Sequence, residues 1–148
     1  MVIVLGCVLL LGCKSGSAES GPAMQGNEQV RSILLSQLTP AERESAVAYW
    51  FVRVVESGAK LAFPHVNFEA PWDAELVFID QQPLANWGHP CRYLLVNLSN
   101  RETVSFASRF PPFQPESRNL WRVLYRASAI PDSAIAVPDP PAKPESQL

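Results

Sequence analysis

Charge is scarce in this 148-residue chain: 18% of its residues are Asp, Glu, Lys or Arg, and the signs nearly cancel at a formal −2. With neither sign in excess, no global field draws the chain toward nucleic acid. An apolar fraction of 47% beside so little charge excludes a wholly disordered polyelectrolyte. Histidine and cysteine are equally sparse, at two and three residues, and no CxxC or HxxxH spacing supplies a zinc framework. A phosphate loop, a dinucleotide fingerprint, a GxSxG elbow and an HExxH pair are all missing, so no cofactor is indicated. The uncharged apolar run at residues 2–12 has eleven residues, too few to span a bilayer, which takes about 20 in a helix.

That run has the length of the apolar segment of a secretory signal. At Cys13 the composition turns abruptly to Lys14, Ser15, Gly16 and Ser17, a polar stretch suited to a tether. Leu10-Leu11-Gly12-Cys13 resembles the lipobox of bacterial lipoproteins, with small Gly12 before the cut and a thiol after it. The resemblance implies removal of residues 1–12 as a signal peptide and acylation of Cys13, palmitate included. It also implies an anchor in the cell envelope. Lys14, standing where an inner-membrane retention Asp is often found, points to the outer membrane, facing the periplasm. No basic residue precedes the apolar run, and Val4-Leu5-Gly6-Cys7 ends in a second Gly-Cys pair. A start upstream of Met1 would account for both, with Cys7 then competing for the lipid. A buried first element of a cytoplasmic domain is the plainer alternative. Once Cys13 is acylated and Cys7 removed, Cys91 is the remaining free thiol and no internal disulfide can form.

Residues 13–27 then read as lipidated cysteine and tether, 28–130 as a single domain, and 131–148, with five prolines, as an extended disordered tail. Within the domain, a helix is expected over 28–38. A second starts at the Thr39-Pro40-Ala41-Glu42 capping box and carries Val47, Trp50, Phe51, Val54 and Val55 to Gly58. Strands are expected at 75–80, 93–98 and 103–110, the last two joined as a hairpin through 99–102. A final helix is expected over 117–128, burying Leu120, Val123, Leu124 and Ala127. The order α-α-β-β-β-α predicts an α+β fold, a small antiparallel sheet of about three strands with helices packed on one face.

Three groups of residues invite a chemical reading. Trp87-Gly88-His89-Pro90-Cys91 has the outline of a thioredoxin-type site but only one cysteine, which excludes disulfide exchange within the site. A thiol-dependent enzyme would use Cys91 with His89 or His65 as base; the plainer reading is a buried cysteine opening a strand. His65, His89 and Cys91 with Glu69 or Asp73 are the metal-binding types present, without a ligand spacing to support them. Arg118, Arg122 and Arg126, four apart, would line one face of the last helix beside Trp121 and Tyr125. Such a row would meet an anionic envelope polymer, lipid head groups or an acidic envelope protein, or simply be a solvated face. The 63–73 loop, with Trp72, offers a second binding surface or, more plainly, covers one edge of the core. The expected protein is thus a membrane-anchored, non-catalytic binding or accessory component, with the Cys91 enzyme as the alternative.

Overall fold

Thr39 starts the helix for the reason expected. Its Oγ1 accepts from the Glu42 amide at 3.2 Å, and the Glu42 carboxylate accepts from the Thr39 amide at 2.8 Å. In the computed structural model, which describes residues 22–137, this helix is α2 (Pro40–Ser45) and lasts only six residues. Before it runs α1 (Pro22–Gln37); after it the chain enters β1 (Val47–Val55). Residues 46–55 are rich in Val, Tyr, Trp and Phe, which suit a pleated surface. As a central strand, β1 is flanked on both sides by other strands and buried on both faces at its start. A strand buried on two faces shows no alternation, so its continuous apolar run also satisfies a helical stripe.

The fold therefore differs from the α+β arrangement expected. It is mostly sheet, with the strands β2 (Lys60–Phe63), β3 (Val66–Glu69), β4 (Ala74–Asp80), β5 (Cys91–Val96), β6 (Thr103–Ser108) and β7 (Trp121–Arg126) following β1. Five of them form one antiparallel sheet in the order β6-β5-β4-β1-β7, and β2 pairs with β3 in a separate hairpin. Among the described residues, α1 is the one helix longer than six residues.

The helix expected over 117–128 is β7, entered through a short 3-10 turn at Arg118–Leu120. Ala48 pairs with Tyr125 and Tyr49 with Val123, which leaves Leu124 unpaired in a bulge. Leu124 faces the α1 side of the sheet and Val123 the other, as successive strand residues do. Because both faces are covered, both residues are apolar, and that gave the sequence its false helical spacing.

The sheet separates two cores. On one face α1 lays Val30, Ile33, Leu34 and Leu38 over Ala48, Val77, Ile79, Leu94 and Val96. On the other the β2–β3 hairpin stacks Phe68 on Phe106 at 4.2 Å and Phe63 on Tyr93 at 4.4 Å. Phe78, Phe113, Tyr49 and Trp121 continue this aromatic layer. The packed body ends beyond residue 130: Ile130 and Val137 are buried in the same layer, and the Ala136 amide donates to the Tyr49 hydroxyl at 3.0 Å. Likewise 22–27, expected as tether, belongs to α1. Cys7, Cys13 and the leader, and residues 138–148 of the expected tail, lie outside the described residues.

Candidate binding site

β4 ends at Asp80 and β5 begins at Cys91, and these two residues face each other across the ladder. Residues 81–90, which connect them, contain no Asp, Glu, Lys or Arg. The connection is fastened at both ends. Asp80 Oδ1 accepts from the Gln82 amide at 3.0 Å, and the Ala85 amide donates to the Gln82 carbonyl at 2.9 Å. Farther along, the His89 amide donates to the Arg109 carbonyl at 3.0 Å. Gly88 is needed here: a Cβ at this position would meet the Phe110 ring at 3.0 Å, so no larger residue fits without displacing that ring.

His89 is the main fastener. It is buried, with Nδ1 2.7 Å from the Trp87 carbonyl and Nε2 2.8 Å from Asp80 Oδ1. A carbonyl only accepts, so Nδ1 donates to it and Nε2 is left to pair with the Asp80 carboxyl. Burial raises the Asp80 carboxyl above its ordinary range, against the opposing pull of His89 and the Gln82 amide. The pair closes the connection on itself from Asp80 to His89.

Beside it, Glu42 fixes the first residue of the connection. Glu42 is buried, and its Oε1 accepts from Arg92 Nε and from Gln81 Nε2, each at 2.7 Å. Oε2 accepts from Arg92 Nη2 at 2.9 Å and from the Thr39 amide. Burial alone would raise this carboxyl, but the hydrogen bonds from Arg92, Gln81 and Thr39 win and hold it at about 2. Arg92 also donates to the Gln37 carbonyl at 3.0 Å, so α1, α2 and β5 meet at one charged knot under the loop.

On this fixed base, Trp87 is 88% exposed and Leu84 65% exposed. Tryptophan is rarely left so open to water. An indole held out by a loop whose base is locked is a contact residue available at low entropic cost.

Cys91 does not have the surroundings of a nucleophile. It is buried, and desolvation pushes its thiol up to about 11; a hydrogen bond with Ser108 opposes this, and the Asp80 charge adds to it. A reactive thiolate needs a lowered pKa and a base in reach. His89 is engaged by Asp80 and Trp87, and exposed His65, at a left-handed φ of 63° in the β2–β3 turn, lies tilted against Phe110 with ring centroids 4.6 Å apart. No group of three His, Cys, Asp or Glu side chains among the described residues is placed to hold a metal.

The three arginines do not share a helix face. Arg118 opens the 3-10 turn, and Arg122 and Arg126 belong to β7. Each guanidinium is bound within the fold: Arg118 donates to the Ala136 carbonyl, Arg122 to the Asn119 and Trp121 carbonyls, and Arg126 to Asp132. The 63–73 segment contains β3 and packs as a lid over the aromatic layer. Trp72 there is half-buried, and its Nε1 has no hydrogen-bond partner among the described residues. The arginines do not form the helix-face row expected of them, and the 63–73 segment covers the core, the plainer of its two readings. Leu84 and Trp87 were missed as a pair, although a charge-free stretch with a Trp and a Leu between Pro83 and Pro90 was the available signal.

No known protein family matches the chain, and no curated protein or solved structure matches it.

Proposed function

We propose that this chain is a non-catalytic binding component of the bacterial cell envelope, anchored by acyl chains on Cys13, with residues 81–90 as its contact surface. The observation that carries the binding half is the 88% exposure of Trp87 on a loop fixed by the buried Asp80–His89 pair. Exposed tryptophan on a rigid support is the residue type that dominates interface energetics. The anchoring half rests on the lipobox-like Leu10-Leu11-Gly12-Cys13 after an apolar run. Acyl chains contribute about 0.8 kcal/mol per buried methylene, so two or three of them hold a protein at a bilayer.

The two halves are spatially compatible. At 1.5 Å per residue, α1 is about 24 Å long. It ends at Gln37, whose carbonyl is tied to Arg92 at the base of the loop. The start of α1, on the Cys13 side of the chain, is therefore the helix end remote from that knot. With no charge on residues 81–90, an envelope protein with an apolar patch fits this surface better than an anionic polymer. The surroundings of Cys91 give the enzyme alternative no support.

The test is the double variant Leu84→Ala/Trp87→Ala. Both side chains are exposed, so stability should change by no more than about 0.5 kcal/mol. Capture of the envelope partner by the immobilised protein should fall at least about tenfold, the effect of losing a central tryptophan. Undiminished capture by a folded double variant would remove this loop from the binding surface.

A further inference from the structure

The two boundary strands of the main sheet are protected unequally. β7 carries Arg122 and Arg126 and is interrupted by the bulge at Leu124. Charge and a bulge are devices that stop an edge strand from recruiting another. β6, at the opposite edge, has neither within it. Its sequence TVSFAS contains no charge and no proline, and it pairs with β5 in unbroken register from Val96↔Thr103 to Cys91↔Ser108.

The outward backbone groups can be assigned. The Asn97 amide donates to the Glu102 carbonyl at 2.8 Å, so 97 and 102 face each other as a hydrogen-bonded pair. Bonded and non-bonded pairs alternate along an antiparallel ladder, so Thr103, Ser105 and Ala107 turn their amides and carbonyls away from β5. No other strand among the described residues pairs with that side. Ser105 and Ala107 are exposed and small, so no bulky side chain covers this backbone.

Charge stands at the two ends of the edge. Arg101 precedes β6 and Arg109 follows it; both are exposed, and neither is in an ion pair among the described residues. Arg101 holds a left-handed φ of 63°, a conformation that favours glycine or asparagine, so the turn itself does not call for arginine. Glu102, the one acid between them, accepts from Asn100 Nδ2 at 2.7 Å. These arginines oppose a second copy of this chain, whose own arginines would meet them in either orientation. A segment with a carboxylate at each end meets them as opposites. The chain's own carboxyl-terminal stretch is unsuited, because Pro138, Pro140, Pro141 and Pro144 lack the N–H that a pairing strand donates.

We propose that β6 is an edge for strand addition: it takes an extended segment of a partner protein, uncharged over about six residues and carrying an aspartate or glutamate at each end. Main-chain hydrogen bonds with Thr103, Ser105 and Ala107 supply the pairing, and Arg101 and Arg109 supply the selection. This inference is independent of the Trp87 loop and of the anchor.

Heteronuclear NMR titration of the isotopically labelled full chain with a synthetic peptide, up to about 1 mM, tests it. The probe is a capped run of alternating threonine and valine with aspartate at both ends. The Thr103, Ser105 and Ala107 amides should shift and saturate. A probe with lysine ends should bind at least about tenfold more weakly, and Arg101→Glu/Arg109→Glu should reverse that preference. Ala107→Pro removes one outward donor and keeps the β5 ladder, since proline is tolerated where an edge N–H faces solvent. With an unchanged circular dichroism spectrum, it should weaken binding of the aspartate probe at least about tenfold. No binding by the wild type, equal binding of the two probes, or full binding by folded Ala107→Pro would each overturn the proposal.

Discussion

Glu42→Ala is expected to lower stability at pH 7 by about 3 kcal/mol, at the lower end for breaking a buried ion pair. The variant takes an acceptor from Arg92 Nε and Nη2, from Gln81 and from the Thr39 amide at once. Arg92 keeps the Gln37 carbonyl and the Ser105 hydroxyl, which limits the loss. Glu42→Gln separates charge from shape and carries a pH signature. A carboxyl held at about 2 in the fold, against an ordinary 4.5, binds its proton less readily folded than unfolded. Its stabilisation is complete above pH 4.5 and disappears as pH falls toward 2, a total of about 3 kcal/mol. Asp80 works the other way: its carboxyl is raised, so its contribution is largest in acid and is lost as pH rises through its folded value. Subtracting the urea stability of Glu42→Gln from that of the wild type cancels Asp80 and leaves the Glu42 curve. A difference that stays flat between pH 5 and 2.5 would show that Glu42 is not held as described.

His89→Ala is expected to cost a similar amount, about 3 kcal/mol, and its effect is local as well as global. Without the imidazole, Asp80 Oδ1 keeps only the Gln82 amide, and a buried carboxylate with one partner is costly. Trp87 loses the ring that holds its carbonyl, so residues 81–90 should open ahead of the sheet. Amide exchange in that segment should rise well before exchange in β4 and β5. Replacing both partners, Asp80→Leu/His89→Leu, should recover much of the stability, because an apolar pair leaves no orphaned charge. Equal stability in His89→Ala and the wild type would mean that the pair does not fasten the loop.

The sequence was legible where a local rule decides the outcome. The Thr39–Glu42 capping box forms, and strands occupy the three segments expected between 75 and 110. It was illegible where only tertiary context decides. Residues 46–52 are apolar on every side because strands flank the start of β1 on both edges and core covers both faces, and the same composition reads as a central helix. At 121–126 both faces of β7 are covered, so apolar Val123 and Leu124 stand side by side and imitate the spacing of a helix. The β2–β3 hairpin was taken for a loop, since Pro64 and His65 at its turn sit between strands of only four residues each. In the candidate site, Glu42 was visible as a cap, but its partner Arg92 comes from β5, 50 residues away. In the sequence His89 stands beside Cys91, whereas its hydrogen bond goes to Asp80 across the loop. Chemistry-bearing residues were therefore found one at a time, and their partners were not.

The envelope assignment turns on a single thiol near the amino terminus. Intact mass spectrometry of the chain isolated from the membranes of cells expressing the native gene addresses it directly. The expected species begins at Cys13, lacks residues 1–12 and carries the added mass of two or three fatty acyl chains. A chain recovered from the soluble fraction, unmodified and still carrying Met1, would contradict it.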